Sequence, residues 1–137
     1  MPSFTIANDA VRDFGLVVPV KLTAASMTPT EGTPPIIDID AMIDTGASHT
    51  AIRDDIPRSL DLNPVGEVPI NTPTSTDVRC LQYVVRMIFP NNIVVNDMLV
   101  TAMPLQKQPI QCLIGRDILS QCVLIYNGYT NLFTLSF

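Results

Sequence analysis

The sequence predicts an all-β chain, mostly antiparallel, with one short helix near its C-terminal end. Runs of β-branched and aliphatic residues, such as VRCLQYVVRMIF at 78–89, recur between clusters of Gly, Pro, Asn and Asp. Residues 50–60 show no clean helical period. Between two apolar runs stands Asn127-Gly128, the strongest short-range hairpin signal in the chain.

Residues 2–6 form a short edge-like strand, and 8–14 a helical turn or a loop. Residues 16–23, LVVPVKLT, read as a strand. Pro19 lacks a ladder donor, which places that strand at an edge or bulges it there. Residues 24–35, rich in Thr, Pro, Ser, Glu and Gly, are a loop with Gly32 as its turn residue. The central strand is 36–43, and it runs into a sharp turn of small residues at 44–48. Residues 50–60 contain Pro57 and are expected to be a turn with a short irregular segment. A turn at 63–66 leads to a strand at 67–71, a polar tip at 72–77 and a strong returning strand at 78–89. These arms predict a long hairpin projecting beyond the sheet.

After a turn at 90–92, residues 93–103 are a strand interrupted near Asn96-Asp97, and 107–111 are a polar loop. Cys112-Leu113-Ile114 is a short strand entering Gly115-Arg116-Asp117. Residues 117–121 start the one short helix, with Asp117 available to cap it. Residues 123–126 and 129–137 flank Asn127-Gly128, which favours a type I′ turn.

The 137 residues fit a single domain spanning 1–137. A hydrophobic fraction of 47% with only 15% charged residues argues against a disordered chain. It also leaves more apolar residues than a small monomer needs, which points to a buried subunit surface. The formal charge is −5, and the eight Lys and Arg are scattered singly. No basic patch is available for a phosphate backbone, so nucleic-acid binding is not expected. Cys80, Cys112 and Cys122 lack metal spacing, and His49 stands alone. Free buried thiols in a reducing compartment follow, with no metal and no cofactor. The start MPSFTIANDAVRDFG has no signal-peptide pattern, and no 18-residue apolar run offers a membrane span. A cytoplasmic protein without membrane partners is the expectation.

The chemistry concentrates at Asp44. A carboxylate at a strand tip, followed by a hydroxyl and a glycine, is a poor core and a good site. One such Asp in a short chain points to a site completed by a second copy. Intrachain rivals for a second acid are Asp38, Asp40, Asp54, Asp55 and Asp117. Of these, Asp38 and Asp40 share one strand face by alternation.

Asp44-Thr45-Gly46-Ala47-Ser48, followed by the hairpin and then Leu113-Ile114-Gly115-Arg116-Asp117, resembles the retropepsin-type aspartic proteases, from about residue 16 to the C-terminus. The resemblance implies a closed antiparallel β-barrel of the single-lobe acid-protease type. It further implies a homodimer in which each chain lends one Asp-Thr-Gly to an endopeptidase acting on peptides or proteins. Asp44 would then be catalytic, with Thr45 reaching across the dimer axis. Gly46 would lie beside the carboxylate, its carbonyl bonded by bound peptide. Ala47, Ser48 and Ile114, with Thr74, Ser75 and Thr76 of a hairpin flap, are expected to meet substrate. Gly115, with Ile114, would pack behind the loop, and Arg116 would brace loops and dimer.

The chain also departs from that pattern. Many relatives pair the arginine with an acid four residues after the catalytic Asp, where this chain has Ser48, so Arg116 needs a different partner. The flap tip lacks glycine and carries Pro73, which restricts its motion. The loop at 24–35 and the extended C-terminal region fit a cellular or bacterial relative better than a viral one. Ala47 cannot donate a hydrogen bond to the acid pair as a serine would, so activity is expected at milder pH.

By analogy of placement, Ile52, Ile114 and Leu81 wall apolar subsites. Met42, Met87, Met98 and Met103 fill the core, and His49 is a polar rim or packed side chain. The alternative function is a catalytically weak or inactive peptide-binding or assembly module of the same fold. A third reading is a non-proteolytic barrel with a chance Asp-Thr-Gly.

Overall fold

A computed structural model describes residues 1–25, 34–71 and 76–137. In chain order the strands are β1 (Ser3–Ala7), β2 (Val17–Ala24), β3 (Ile36–Ile43), β4 (Ala51–Arg53), β5 (Gly66–Ile70), β6 (Val78–Phe89), β7 (Ile93–Met103), β8 (Cys112–Ile114), β9 (Val123–Asn127) and β10 (Leu132–Ser136). Three single-turn helices accompany them: α1 (Val11–Phe14), α2 (Ile56–Ser59) and α3 (Arg116–Leu119). The expected turn at Gly32 and the hairpin residues 72–75 lie outside the described residues. No helix among those described is long and apolar enough to cross a membrane.

Six strands close into a barrel in the order β2-β3-β8-β4-β7-β6, and the ring is sealed by β2–β6 pairing. Closure removes the open edges that a sheet of this length would otherwise present. Four seams are antiparallel, whereas β3–β8 and β4–β7 are parallel. The parallel seam matters most for the site, because it sets the end of β3 beside the end of β8. β5 hangs on β6 outside the ring, with Ile70 opposite Val78. A separate sheet in the order β1-β10-β9 joins the two chain ends.

Alternation dictates which side chains fill the barrel. Along β6, Tyr83, Val85, Met87 and Phe89 point inward and are buried, while the residues between them are not. They meet Val18 and Leu22 of β2, Val100 of β7 and Ile114 of β8, all without exposed surface. The small sheet is tied on by aromatic packing: Phe89 lies 5.9 Å from Phe4 and 5.0 Å from Phe137 between ring centroids. Met87 and Met98 are buried and Met42 and Met103 half-buried, in keeping with their expected place as core filler.

The predicted strands are present, with several differences of detail. Residues 51–53, expected to be irregular, form β4 because they pair with β7 and β8, contacts no local pattern announces. Of the two alternatives for residues 8–14 the helical turn is the one formed, as α1, and a further single-turn helix, α2, stands in the segment expected to be irregular. Pro19 is tolerated because β2 has only β3 beside it there; pairing with β6 begins at Lys21. The interruption at Asn96-Asp97 is a β-bulge: Val85 opposes Met98 and Met87 opposes Val95, with Asp97 at positive φ. The last hairpin forms, but not by a two-residue turn. Asn127 pairs with Leu132, and its side-chain oxygen accepts from the Tyr129 and Thr130 amides, building a longer loop.

Candidate active site

The end of β3 continues its ladder one residue into the loop, for the Asp44 amide donates to the Ile114 carbonyl at 2.9 Å. The chain then turns sharply as the Ala47 amide reaches back to the Asp44 carbonyl at 3.1 Å. Inside this turn the Gly46 amide donates to Asp44 Oδ1 at 2.9 Å. The carboxylate is thus held by its own loop. A Cβ at position 46 would stand 3.2 Å from Asp44 Oδ1, so a larger residue would crowd the acid.

Behind the turn runs the segment 113–117. Gly115 is the point of closest approach: a Cβ there would lie 2.6 Å from the carbonyl carbon of His49 and 2.7 Å from its oxygen. These are backbone atoms that cannot swing aside, so the two segments meet at this spacing only with glycine. Arg116 fastens the front of the loop. Its amide donates to the Ala47 carbonyl at 2.8 Å, and its guanidinium to the Thr45 carbonyl at 2.7 Å. The partner that Ser48 cannot supply is therefore a backbone oxygen of the loop itself.

Asp117 does not cap a helix, as had been expected. α3 starts one residue earlier, with Gly115 before it, and the Asp117 carboxylate instead clamps Thr50. Asp117 Oδ2 accepts from the Thr50 amide at 2.9 Å, and Oδ1 from the Thr50 hydroxyl at 2.7 Å and the Ile118 amide at 2.9 Å. The same hydroxyl accepts from the Gly115 amide at 3.1 Å. Thr50 has no exposed surface, so this network satisfies polar groups that water cannot reach. Sequence reasoning missed Thr50, because its role exists only once β8 lies beside β4.

Asp44 and Ala47 are half-buried, while Thr45, Gly46, Ser48 and His49 are exposed. The loop therefore offers its Asp-Thr-Gly face outward from a rigid base. Ile52 and Ile114 have no exposed surface, which corrects their expected place as subsite walls: they support the loop from within. Leu81 is exposed on β6. Thr76 is exposed beside Asp77, whose amide bonds the Asn71 side chain where the β5–β6 hairpin closes. Thr74 and Ser75 lie outside the described residues. Cys112, adjoining this base on β8, is fully buried, and burial pushes its thiol up to about 12.

None of the rival acids is bonded to Asp44. Asp38 pairs with Lys21, Asp55 with Arg53, Asp54 with Gln106 and Asp117 with Thr50. Asp40 lies within β3, short of its tip.

The family of gag-polyprotein putative aspartyl proteases matches residues 37–121, from β3 to the end of the α3 region. The chain belongs to this aspartyl protease family. Both segments of the site, 44–50 and 113–117, fall inside that match. Among solved structures, a retropepsin-like aspartic protease from Rickettsia conorii is similar, with 14% identity and a TM-score of 0.62. That likeness covers 99% of this chain and 91% of the rickettsial one. The simian foamy virus (mac) protease is similar over 76% of this chain and 91% of its own, at 16% identity and a TM-score of 0.50. The fold is therefore retropepsin-like. A search of curated proteins finds no match.

Proposed function

We propose that this protein is a homodimeric aspartic endopeptidase whose two Asp44 carboxylates, one from each subunit, share a site. The observation that carries the reading is the Asp44 loop: an outward Asp-Thr-Gly face on a base fixed by Arg116, Gly115 and the Thr50–Asp117 clamp. Cleaving a peptide without a metal requires an activated water and a proton for the leaving nitrogen. Two adjacent carboxylates supply both, because like charges in proximity keep one of them protonated. The pair titrates as a unit rather than as two independent acids.

The ionised Asp44 takes a proton from water as the water attacks the carbonyl carbon. The protonated Asp44 of the other subunit polarises the carbonyl oxygen, and a proton then passes to the departing amine. The bond from the Gly46 amide to Oδ1 orients the carboxylate throughout. Thr45 extends towards the partner loop, while Ala47 and Ser48 lie along the floor. The β5–β6 hairpin, with Thr74, Ser75 and Thr76, covers an extended peptide bound as an added strand. Ile114 and Gly115 act from behind the loop, and Arg116 keeps the loops in register.

The decisive experiment measures cleavage of a peptide library by the wild type and by Asp44→Asn. Loss of at least a thousandfold in kcat/KM with unchanged fold and assembly is the expected result, together with inhibition by a pepstatin-type statine peptide (order of magnitude from the loss of a general base). A folded dimer that binds peptides yet cleaves none would assign the chain to the peptide-binding alternative.

A further inference from the structure

We propose that the cleft between the β7 bulge and α3 is a specificity subsite for a lysine or arginine side chain of the bound peptide, away from the cleaved bond. The inference rests on the reading of Asp44 as the cleaving acid, for which it names a substrate class.

The cleft holds about 380 Å3 and lies against the back of the Asp44 loop. His49 lines it from the end of that loop, Asp117 and Ile118 from α3, and Asp97 and Leu99 from β7. Its volume is near the lower end for ligand clefts, about 300–1,000 Å3, and suits one long side chain better than a cofactor. The wall shared with the site is rigid. The His49 backbone is the surface against which Gly115 packs, and Asp117 holds the buried Thr50. Ser48 and His49 are both exposed, so a peptide laid along Ala47 and Ser48 meets His49 next, at the rim of the cleft. A larger cleft, of about 540 Å3 beside Lys21 and Asp38, has no residue of either site segment among its described lining.

The lining is amphipathic, as a long basic side chain is. Leu99 is 47% exposed, and Ile118 and Phe137 are half-buried, so apolar surface stands open to a methylene stem. The charged groups of the lining are two carboxylates, Asp97 and Asp117, and among the described residues no lysine or arginine joins them. Asp117 is taken up by Thr50 and the Ile118 amide. Asp97 is exposed, and no ion pair among the described residues engages it.

Asp97 stands there because of the bulge. Asn96 and Asp97 together occupy the place that β6 fills with Arg86 alone, and Asp97 takes a φ of 52°. That conformation is uncommon for residues other than glycine, and a bulge re-aims the side chain it carries. Charge then selects the occupant. An acidic side chain is repelled by both carboxylates, and an aliphatic one leaves Asp97 unused. A lysine or arginine side chain matches the apolar lining with its stem and Asp97 with its head.

The test uses libraries of eight-residue peptides in which lysine, arginine, norleucine or glutamate is fixed at each position in turn. Cleavage is measured with the wild type, Asp97→Asn and Gln121→Lys, and circular dichroism with thermal melting verifies that each variant folds. Asparagine adopts the left-handed conformation as readily as aspartate, so the first substitution keeps the bulge. Gln121 is an exposed lining residue, and lysine there brings a competing cation. The expected result is a preference for lysine and arginine over norleucine at one position, at least two residues from the cleaved bond. Its size should be about threefold to fivefold in kcat/KM, the reach of a partly exposed ion pair, and both variants should lose it. Equal cleavage of the four libraries overturns the proposal, as does a preference that survives both substitutions. So does one spread evenly over all positions, which would mark only the general pull of an acidic chain on cations. The same libraries are bound to Asp44→Asn, whose Kd values read the subsite without cleavage. Asp44-dependent cleavage without the preference fells the subsite and leaves the endopeptidase reading standing. Selective binding of the basic libraries by a protein that cleaves nothing does the reverse.

Discussion

Gly115 and Ala47 show how much of this site is decided by single side chains. At position 115 the neighbouring atoms are the backbone of His49, 2.6–3.0 Å from where a Cβ would sit. Gly115→Ala should therefore cost about 1–3 kcal/mol, the usual penalty for overpacking, read from urea denaturation. An unchanged midpoint would mean the loop yields at no cost. Ala47 tests the chemistry instead. Its backbone is fixed at both ends, by the Asp44 carbonyl and the Arg116 amide, so a serine side chain can be added without rebuilding the turn. If that hydroxyl reaches the acid pair, Ala47→Ser stabilises the charged form and moves the acid limb of the kcat/KM profile to lower pH, by about half a unit to one unit. A wild-type profile that peaks near about pH 3 and has vanished by about pH 5 would contradict the milder optimum inferred from alanine.

Among the elements, the clamp between the start of β4 and α3 carries the most consequence for the site. Thr50→Val keeps the shape but removes the hydroxyl that bonds both Asp117 and the Gly115 amide. A buried donor is then left unpaired, so a loss of about 1–3 kcal/mol is expected in denaturant titration. Cleavage should fall further than that loss alone explains, since the Asp44 loop stands on this base. Sequence reading reached unevenly at this scale. β3, β6 and β8 were legible because each is a run of β-formers bounded by turn residues. β4 was not, because three residues carry no period of their own and become a strand only between β7 and β8. Asn127-Gly128 announced its hairpin correctly but not its loop, because the Asn127 side chain takes two amides that a tight turn would not offer. Asp117 looked like a cap because a helix follows it. Its carboxylate is instead drawn to Thr50, a residue far away in the chain.

For the molecule as a whole, barrel closure sets which chemistry is available. Cys112 is sealed between β3 and β4, and its thiol is pushed from an ordinary value near 9 to about 12 by burial, with the Asp117 charge adding to the effect. Since the folded state then holds a proton that the unfolded chain releases, this group's contribution to stability is present below about pH 9 and lost as pH rises toward about 12. In thiol labelling at about pH 8, half-buried Cys122 should react first, and Cys112 only on global unfolding. Rapid labelling of Cys112 in the native protein would mean that the β3–β8–β4 region opens locally. The amino-acid order by itself determined the β class, the strand-tip aspartate, the glycine and arginine of the second segment, and the apolar excess, because these depend on local pattern and composition. Only the tertiary structure decided that Arg116 holds the Thr45 carbonyl, that Asp117 clamps Thr50, that Ile52 and Ile114 lie inside, and that among the described residues β9 pairs with β10 alone. Each of those depends on segments distant in sequence meeting across a parallel seam or at a sheet margin, and nothing in a local stretch of residues encodes who its distant neighbour will be.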